Sequence, residues 1–210
     1  MIWSSILVVI MGYLIGAIPF AYIAGRRVRG VDIREVGDRN MGAANAFREL
    51  GARAGIAVGI VDIGKGAAAI LIAEALGVPL PVLLLTGLAA VAGHNWPIFL
   101  KFGGGRGEAT TIGILLTLMP REMLIIFGVA ALPFLITRSI ILTSVFLFVP
   151  LPLVAWGFGT SGVMIAYCIA LPCVVGFTHY ITTRHMPAEV KEEGTKNSDG
   201  ATYVASPNIR

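Results

Sequence analysis

Apolar residues fall in seven blocks along the chain, at residues 2–25, 54–76, 79–91, 109–119, 123–136, 139–156 and 163–181. Each block predicts a membrane helix, since about 20 apolar residues rising roughly 1.5 Å apiece cross the hydrocarbon. Pro19 lies inside the first block, and Pro150 and Pro152 lie inside the sixth. A membrane helix can kink at such residues without ending. The blocks at 79–91 and 109–119 are too short to span comfortably, and both flank a polar stretch at 93–107. Short apolar blocks beside irregular polar backbone predict a loop that dips below the membrane surface. A second polar stretch, 26–53, separates the first two blocks, and the chain from Thr182 onward is polar and expected to be disordered. The predicted fold is all-α: a polytopic membrane domain of seven transmembrane helices over 1–183, followed by a polar tail over 184–210.

Positive charge sets the expected orientation. The polar stretch at 26–53 carries Arg26, Arg27, Arg29, Arg34, Arg39, Arg48 and Arg53. Lys101 and Arg106 lie in the stretch at 93–107, Arg138 follows the fifth block, and Arg184, Lys191, Lys196 and Arg210 lie in the tail. With seven crossings all of these fall on one side, and the other side has only Arg121 beside Glu122. The bias predicts an outside N-terminus and a cytoplasmic C-terminus. Both polar loops then face the cytoplasm, where phosphorylated metabolites are found.

Composition agrees with this class. The chain is 56% hydrophobic and 13% charged, against about 25% charged in ordinary soluble domains. The net charge of +4 is a topology signal and not a nucleic-acid footprint. Cys168 and Cys173 stand five residues apart in one apolar block and do not share a helix face, so neither a disulfide nor a metal site is indicated. The basic residues follow the first block instead of preceding it, the reverse of a cleavable signal peptide.

The stretch at 93–107 ends Gly103-Gly104-Gly105-Arg106-Gly107. Closely spaced glycines let backbone N–H groups approach an anion, and a following helix start adds a positive dipole end. This loop reads either as a phosphate holder or as a turn between packed helices. The earlier loop presents Asn40, Asn45 and Arg48 around Gly42. Asn amides suit a hydroxylated substrate, and the Arg48 fork suits phosphate. Asp62 and Lys65, at i, i+3 inside the second block, share a helix face and read as a pair that tethers the helix beneath the site. His94 reads as an anchor of the glycine loop, with a general base as the other reading. His179 ends the seventh block near the same face, and His185 reads as a tail residue. The spacing supplies no Ser-His-Asp arrangement and no metal cluster.

The two loops together resemble the bacterial acyl-phosphate-dependent glycerol-3-phosphate acyltransferases, the PlsY family. That family has an early loop of the type Ser-Gly-Asn-x-Gly-Ala-Thr-Asn with an arginine three residues on. Here it reads Asp38-Arg39-Asn40-Met41-Gly42-Ala43-Ala44-Asn45, with Arg48 in place. The family's Gly-His-x-x-Pro-x-Phe and Phe-Lys-Gly-Gly-Lys-Gly read Gly93-His94-Asn95-Trp96-Pro97-Ile98-Phe99 and Phe102-Gly103-Gly104-Gly105-Arg106-Gly107. Its Asp-x-x-Lys-Gly is Asp62-Ile63-Gly64-Lys65-Gly66. The departures are Asp38 for serine, Arg39 for glycine, Ala44 for threonine, and Gly103 and Arg106 for the two lysines. The family's His-Arg-Glu-Asn becomes His179-Tyr180-Ile181-Thr182.

The resemblance implies transfer of an acyl group from acyl-phosphate to the 1-hydroxyl of glycerol 3-phosphate. The product is lysophosphatidic acid, made at the cytoplasmic face of a bacterial inner membrane without a cofactor. It implies Arg48, Arg106 and His179 as catalytic residues. It implies Asp38, Asn40, Gly42, Asn45, His94, Gly104, Gly105 and Gly107 as substrate-binding residues. The partners expected are the two substrates and membrane lipids, with no nucleic acid. The alternatives are an inactive paralogue that binds lipid or phosphate and a small transporter, for which the chain lacks visible inverted halves.

Overall fold

A computed structural model describes residues 2–184, whose regular elements are all helices, with no strand among them. The helices are α1 (Ile2–Gly16), α2 (Phe20–Val28), α3 (Ala43–Leu50), α4 (Ala52–Ala75) and α5 (Leu80–Asn95). Then come a 3-10 turn at Ile98–Leu100, α6 (Glu108–Leu118), α7 (Pro120–Thr137), α8 (Ile140–Phe148), α9 (Leu151–Gly157) and α10 (Gly162–Arg184). Six segments are long and apolar enough to cross a membrane: Ile2–Val28, Ala52–Ala75, Leu80–Leu100, Pro120–Thr137, Ile140–Gly157 and Gly162–Arg184. The seventh apolar segment, α6, has 11 residues.

Several boundaries differ from the sequence reading. Pro19 does break the first segment into α1 and α2, and the chain restarts where Ile23 donates to the Pro19 carbonyl. The break releases carbonyls at Gly16 and Ile18 that a buried side chain takes up. α3 forms within the long polar stretch, where hydropathy gave no sign of a helix. α5 continues past residue 91 to Asn95, because its last polar side chains, His94 and Asn95, are buried in protein. α10 runs on through Thr182 to Arg184. The remaining tail, with His185, lies outside the described residues.

Small residues set the helix packing. A Cβ on Gly12 would meet Thr86, one on Gly16 would strike the Ala90 carbonyl, and one on Gly93 would strike the Tyr13 carbonyl. The matched rise of 12 with 86 and 16 with 90 makes α1 and α5 parallel. On α4 and α6, Gly66 lies against the Thr110 carbonyl and Gly113 against that of Ile63. Between helices in lipid, backbones held this close are stabilised by van der Waals contact more than by expulsion of water. α4 and α5 run antiparallel, since Lys65 reaches His94 while Gly87 lies against Ile70. The main core joins α4 to α10 through Ile70, Val91, Ile114, Met123, Leu151 and Leu171. A second, smaller core of Ala21, Ile33, Met41, Ala46 and Val58 lies under the first polar loop. Outward-facing Leu132, Leu135, Ile141 and Leu153 suit a lipid surround.

Candidate active site

The first polar loop is built around Asn45. Its amide nitrogen donates to the carbonyls of Ile33 (3.0 Å), Val36 (3.1 Å) and Asn40 (3.0 Å). Its oxygen accepts from the Asp38 N–H. Gly37 takes φ +58, and any side chain there would collide with the Asn45 oxygen. The expectation that Asn45 faces a substrate therefore needs correcting. The residue is fully buried, and both ends of its amide hold the loop in shape.

A second tie joins this loop to the glycine loop. Arg34 donates to both oxygens of Asp32 and, 3.0 Å away, to the Leu100 carbonyl. That hydrogen-bonded guanidinium holds the Asp32 carboxyl below its ordinary range, even though burial pushes the other way. The glycine loop is fixed from three further sides. Tyr13 donates to the Trp96 carbonyl (2.7 Å), Asn95 donates to the Thr178 hydroxyl of α10 (3.0 Å), and Gly105 N–H donates to the His94 carbonyl (3.0 Å). Gly104 and Gly105 have no room for a Cβ, because the former abuts the His94 carbonyl and the latter the His94 ring.

His94 is the floor of this arrangement. Its Nδ1 lies 3.3 Å from Lys65 Nζ, and its Nε2 faces Gly105. Lys65 in turn pairs with Asp62 at 2.8 Å and donates to the Gly16 and Ile18 carbonyls released at the Pro19 break. The tethering role read for Asp62 and Lys65 agrees with this geometry. With its ring buried among these partners, His94 supports the loop and does not open onto the cavity, so the substrate-contact expectation for it is replaced by the anchor reading.

Charge converges on Asp38. Its Oδ2 is 2.6 Å from Arg48 and 3.9 Å from Arg106, and its Oδ1 accepts from the Asn40 N–H. His179, half-buried on α10, lies within electrostatic reach of Arg106 and Asp38. Burial pulls Arg106 below the usual arginine range while Asp38 opposes that pull; a guanidinium remains a cation at neutral pH. Beside this group is a cavity of about 230 Å³, lined by Arg34, Arg39, Asn95, Phe102, Thr178, Thr182 and the glycines from 103 to 105. Asn40 Oδ1, Asn95 Oδ1 and Arg106 Nε are buried without a hydrogen-bond partner among the described residues. Polar atoms left so are costly unless a ligand or water meets them. The cavity is thus lined by the guanidiniums of Arg34 and Arg39 and by the unsatisfied Asn95 Oδ1, while Asp38, Arg106 and His179 are the chain neighbours of its lining residues Arg39, Gly105 and Thr178.

A family profile described as Glycerol-3-phosphate acyltransferase matches residues 6–188. The chain belongs to this family. Glycerol-3-phosphate acyltransferase 4 of Dehalococcoides mccartyi is 47% identical over 179 residues, covering 85% of this chain and 97% of the relative. Two crystal structures of PlsY, described as an integral membrane glycerol 3-phosphate acyltransferase, have the same fold. The glycerol 3-phosphate form superposes with a TM-score of 0.78 at 34% identity, over 86% of this chain and 90% of that one. The lysophosphatidic acid form gives 0.76 at 30% identity, over 93% and 94%. These relatives are enzymes by name, and none favours the binding-only alternative.

Of the residues singled out in the sequence, Arg48 and Arg106 both face Asp38, His179 lies within electrostatic range of Arg106 and Asp38, and the Asn40 N–H donates to Asp38 from a buried position. Gly42 precedes α3 in extended backbone, and Gly107 precedes α6 in the left-handed region, packed on Asn95. The sequence reading missed Arg34, Asn95 and Thr178 as site-shaping residues. Each lies within a few residues of a flagged position, but its partner is far away in the chain. Glu108, which accepts from Ser144 of α8 at the start of α6, was also unforeseen.

Proposed function

We propose that this acyltransferase moves an acyl group from acyl-phosphate to the 1-hydroxyl of glycerol 3-phosphate, yielding lysophosphatidic acid and inorganic phosphate. The hydroxyl oxygen bonds to the acyl carbon, the bond from that carbon to the phosphate oxygen breaks, and the hydroxyl proton leaves with the phosphate. Acyl-phosphate is already activated, so the protein's task is positioning and charge stabilisation. The observation that carries this reading is the convergence of Arg48 and Arg106 on Asp38, next in the chain to the cavity-lining Arg39 and Gly105, with His179 within electrostatic range.

In this reading Arg48 and Arg106 bind the phosphate oxygens and stabilise charge on the departing phosphate. His179 orients the acceptor, and Asn40 offers its unpartnered oxygen to a substrate hydroxyl. Asn45, Gly42, His94, Gly104, Gly105 and Gly107 hold the two loops at the spacing that substrate needs. The acyl chain lies among lipid-facing helices. α6 completes a seventh crossing with the extended glycine loop before it. The arginine-rich loops lie on the cytoplasmic face of a bacterial inner membrane, with the N-terminus outside.

The test is turnover. Purified protein in mild detergent receives palmitoyl-phosphate and labelled glycerol 3-phosphate, and labelled lysophosphatidic acid and free phosphate are measured. Arg48→Ala and Arg106→Ala should each lower kcat/KM by about a hundredfold or more, as removal of a charge-stabilising donor does. Wild-type rates in both variants would remove these arginines from the mechanism.

A further inference from the structure

Arg39 holds a position that disfavours it. Its φ is +54, in the left-handed region where a side chain crowds its own backbone. Backbone strain at one residue of a binding loop points towards a use for that residue's side chain. The Arg39 side chain is exposed and borders the cavity of the glycine loop.

The other cations of the site are engaged. Arg34 is bonded to Asp32 and to the Leu100 carbonyl. Arg48 and Arg106 both face Asp38. Arg39 has no ion pair or side-chain hydrogen bond among the described residues. The loop itself brings no cation to the cavity through residues 103–105, all glycine. Gly104 and Gly105 could not carry one, since His94 and its carbonyl occupy the space. The N–H groups of Gly103 and Gly105 are turned to Leu100 and His94. That leaves the Gly104 N–H without an acceptor among the described residues. The Thr178 and Thr182 hydroxyls donate to the Val174 and Thr178 carbonyls, so the donors open to a ligand in this cavity are one uncommitted guanidinium and one uncommitted amide, a set suited to a tetrahedral oxyanion.

We propose that Arg39 is a substrate-binding residue of this chain, contacting a phosphate group in the glycine-loop cavity and supplying the cation that Gly103 does not. This rests on the reading of the protein as a transferase with two phosphate-bearing substrates. The shared chemistry is a phosphate monoester or acyl-phosphate. Which of the two occupies the cavity is decided by whose KM responds.

The experiment uses the full chain in detergent with Arg39→Ala, Arg39→Lys and Arg39→Gly. Initial rates are recorded while palmitoyl-phosphate and glycerol 3-phosphate are varied separately. Arg39→Ala should raise one of the two KM values by about tenfold to a hundredfold, the range for a lost charge-assisted hydrogen bond. Arg39→Lys should recover much of that loss. Arg39→Gly should show the same KM defect with a Tm at or above wild type, because glycine suits the left-handed backbone. A purely structural Arg39 predicts the reverse pattern, with Arg39→Gly fully active. That result, or unchanged KM values in all three variants, would overturn the proposal. Calorimetric titration with inorganic phosphate separates the proposal from the reaction it rests on. If wild-type protein made no lysophosphatidic acid, the transferase reading would fail. A weaker phosphate Kd in Arg39→Ala than in wild type would still support the Arg39 contact, and equal Kd values would overturn it.

Discussion

At the scale of single residues, Asp38 has the clearest consequence. A carboxylate 2.6 Å from Arg48 and 3.9 Å from Arg106 competes for the donors that a phosphate needs. Asp38→Asn keeps the shape and removes the charge. It should lower the KM for glycerol 3-phosphate by about twofold to fivefold, the scale of a partly exposed ion pair. A raised KM, read from initial rates, would mean instead that the carboxylate holds the guanidiniums ready for substrate. Asp32 governs a different property. Its folded pKa is depressed by Arg34, so the unfolded chain takes up its proton first as pH falls. The stabilisation is present above the unfolded carboxylate value of about 4 and fades below it. Asp32→Asn should therefore lower Tm at neutral pH, and the gap to wild type should close under acid. A gap that stays constant with pH would rule out the ion pair as its source.

Elements are joined here by buried polar groups and by glycine contacts. Lys65 on α4 spans the Pro19 break, the Asp62 carboxylate and the His94 ring, and it is almost wholly buried. Lys65→Met leaves Asp62 charged and unpaired, which costs about 3–5 kcal/mol in comparable buried pairs. A marked fall in Tm is expected, with partial recovery in the Asp62→Asn, Lys65→Met double variant. Equal Tm in wild type and Lys65→Met would show that the pair bears no load. Gly113→Ala places a methyl against the Ile63 carbonyl. Prising α4 from α6 should cost about 1–3 kcal/mol, as overpacking does, and thermal unfolding in detergent would register it.

For the whole molecule the distribution of Lys and Arg predicts which face looks into the cell. The loop at Arg121 and the loop at Arg138 lie at opposite ends of α7. In a background with Cys168 and Cys173 replaced by Ala, R121C should react with an impermeant maleimide in intact cells. R138C should react only after permeabilisation. The opposite labelling pattern would turn the site outward and remove it from cytoplasmic substrates.

The all-helical membrane class and the two glycine-marked loops were legible in the sequence. Hydropathy is a sum over neighbours in the chain, and the loops interrupt it visibly. α3 was not legible, because its apolar side is short and meets Ile33, Met41 and Val58 only after the loop has folded back. The true end of α5 was hidden for a related reason: His94 and Asn95 score as polar, yet their partners Lys65 and Thr178 lie 29 and 83 residues away. Only the tertiary structure decided that Asn45 holds the first loop in shape, and that Asp38 stands between Arg48 and Arg106. It also decided that Arg39 borders the cavity left open at Gly103. Each of these depends on distances between residues far apart in the chain, and local composition carries no information about such distances.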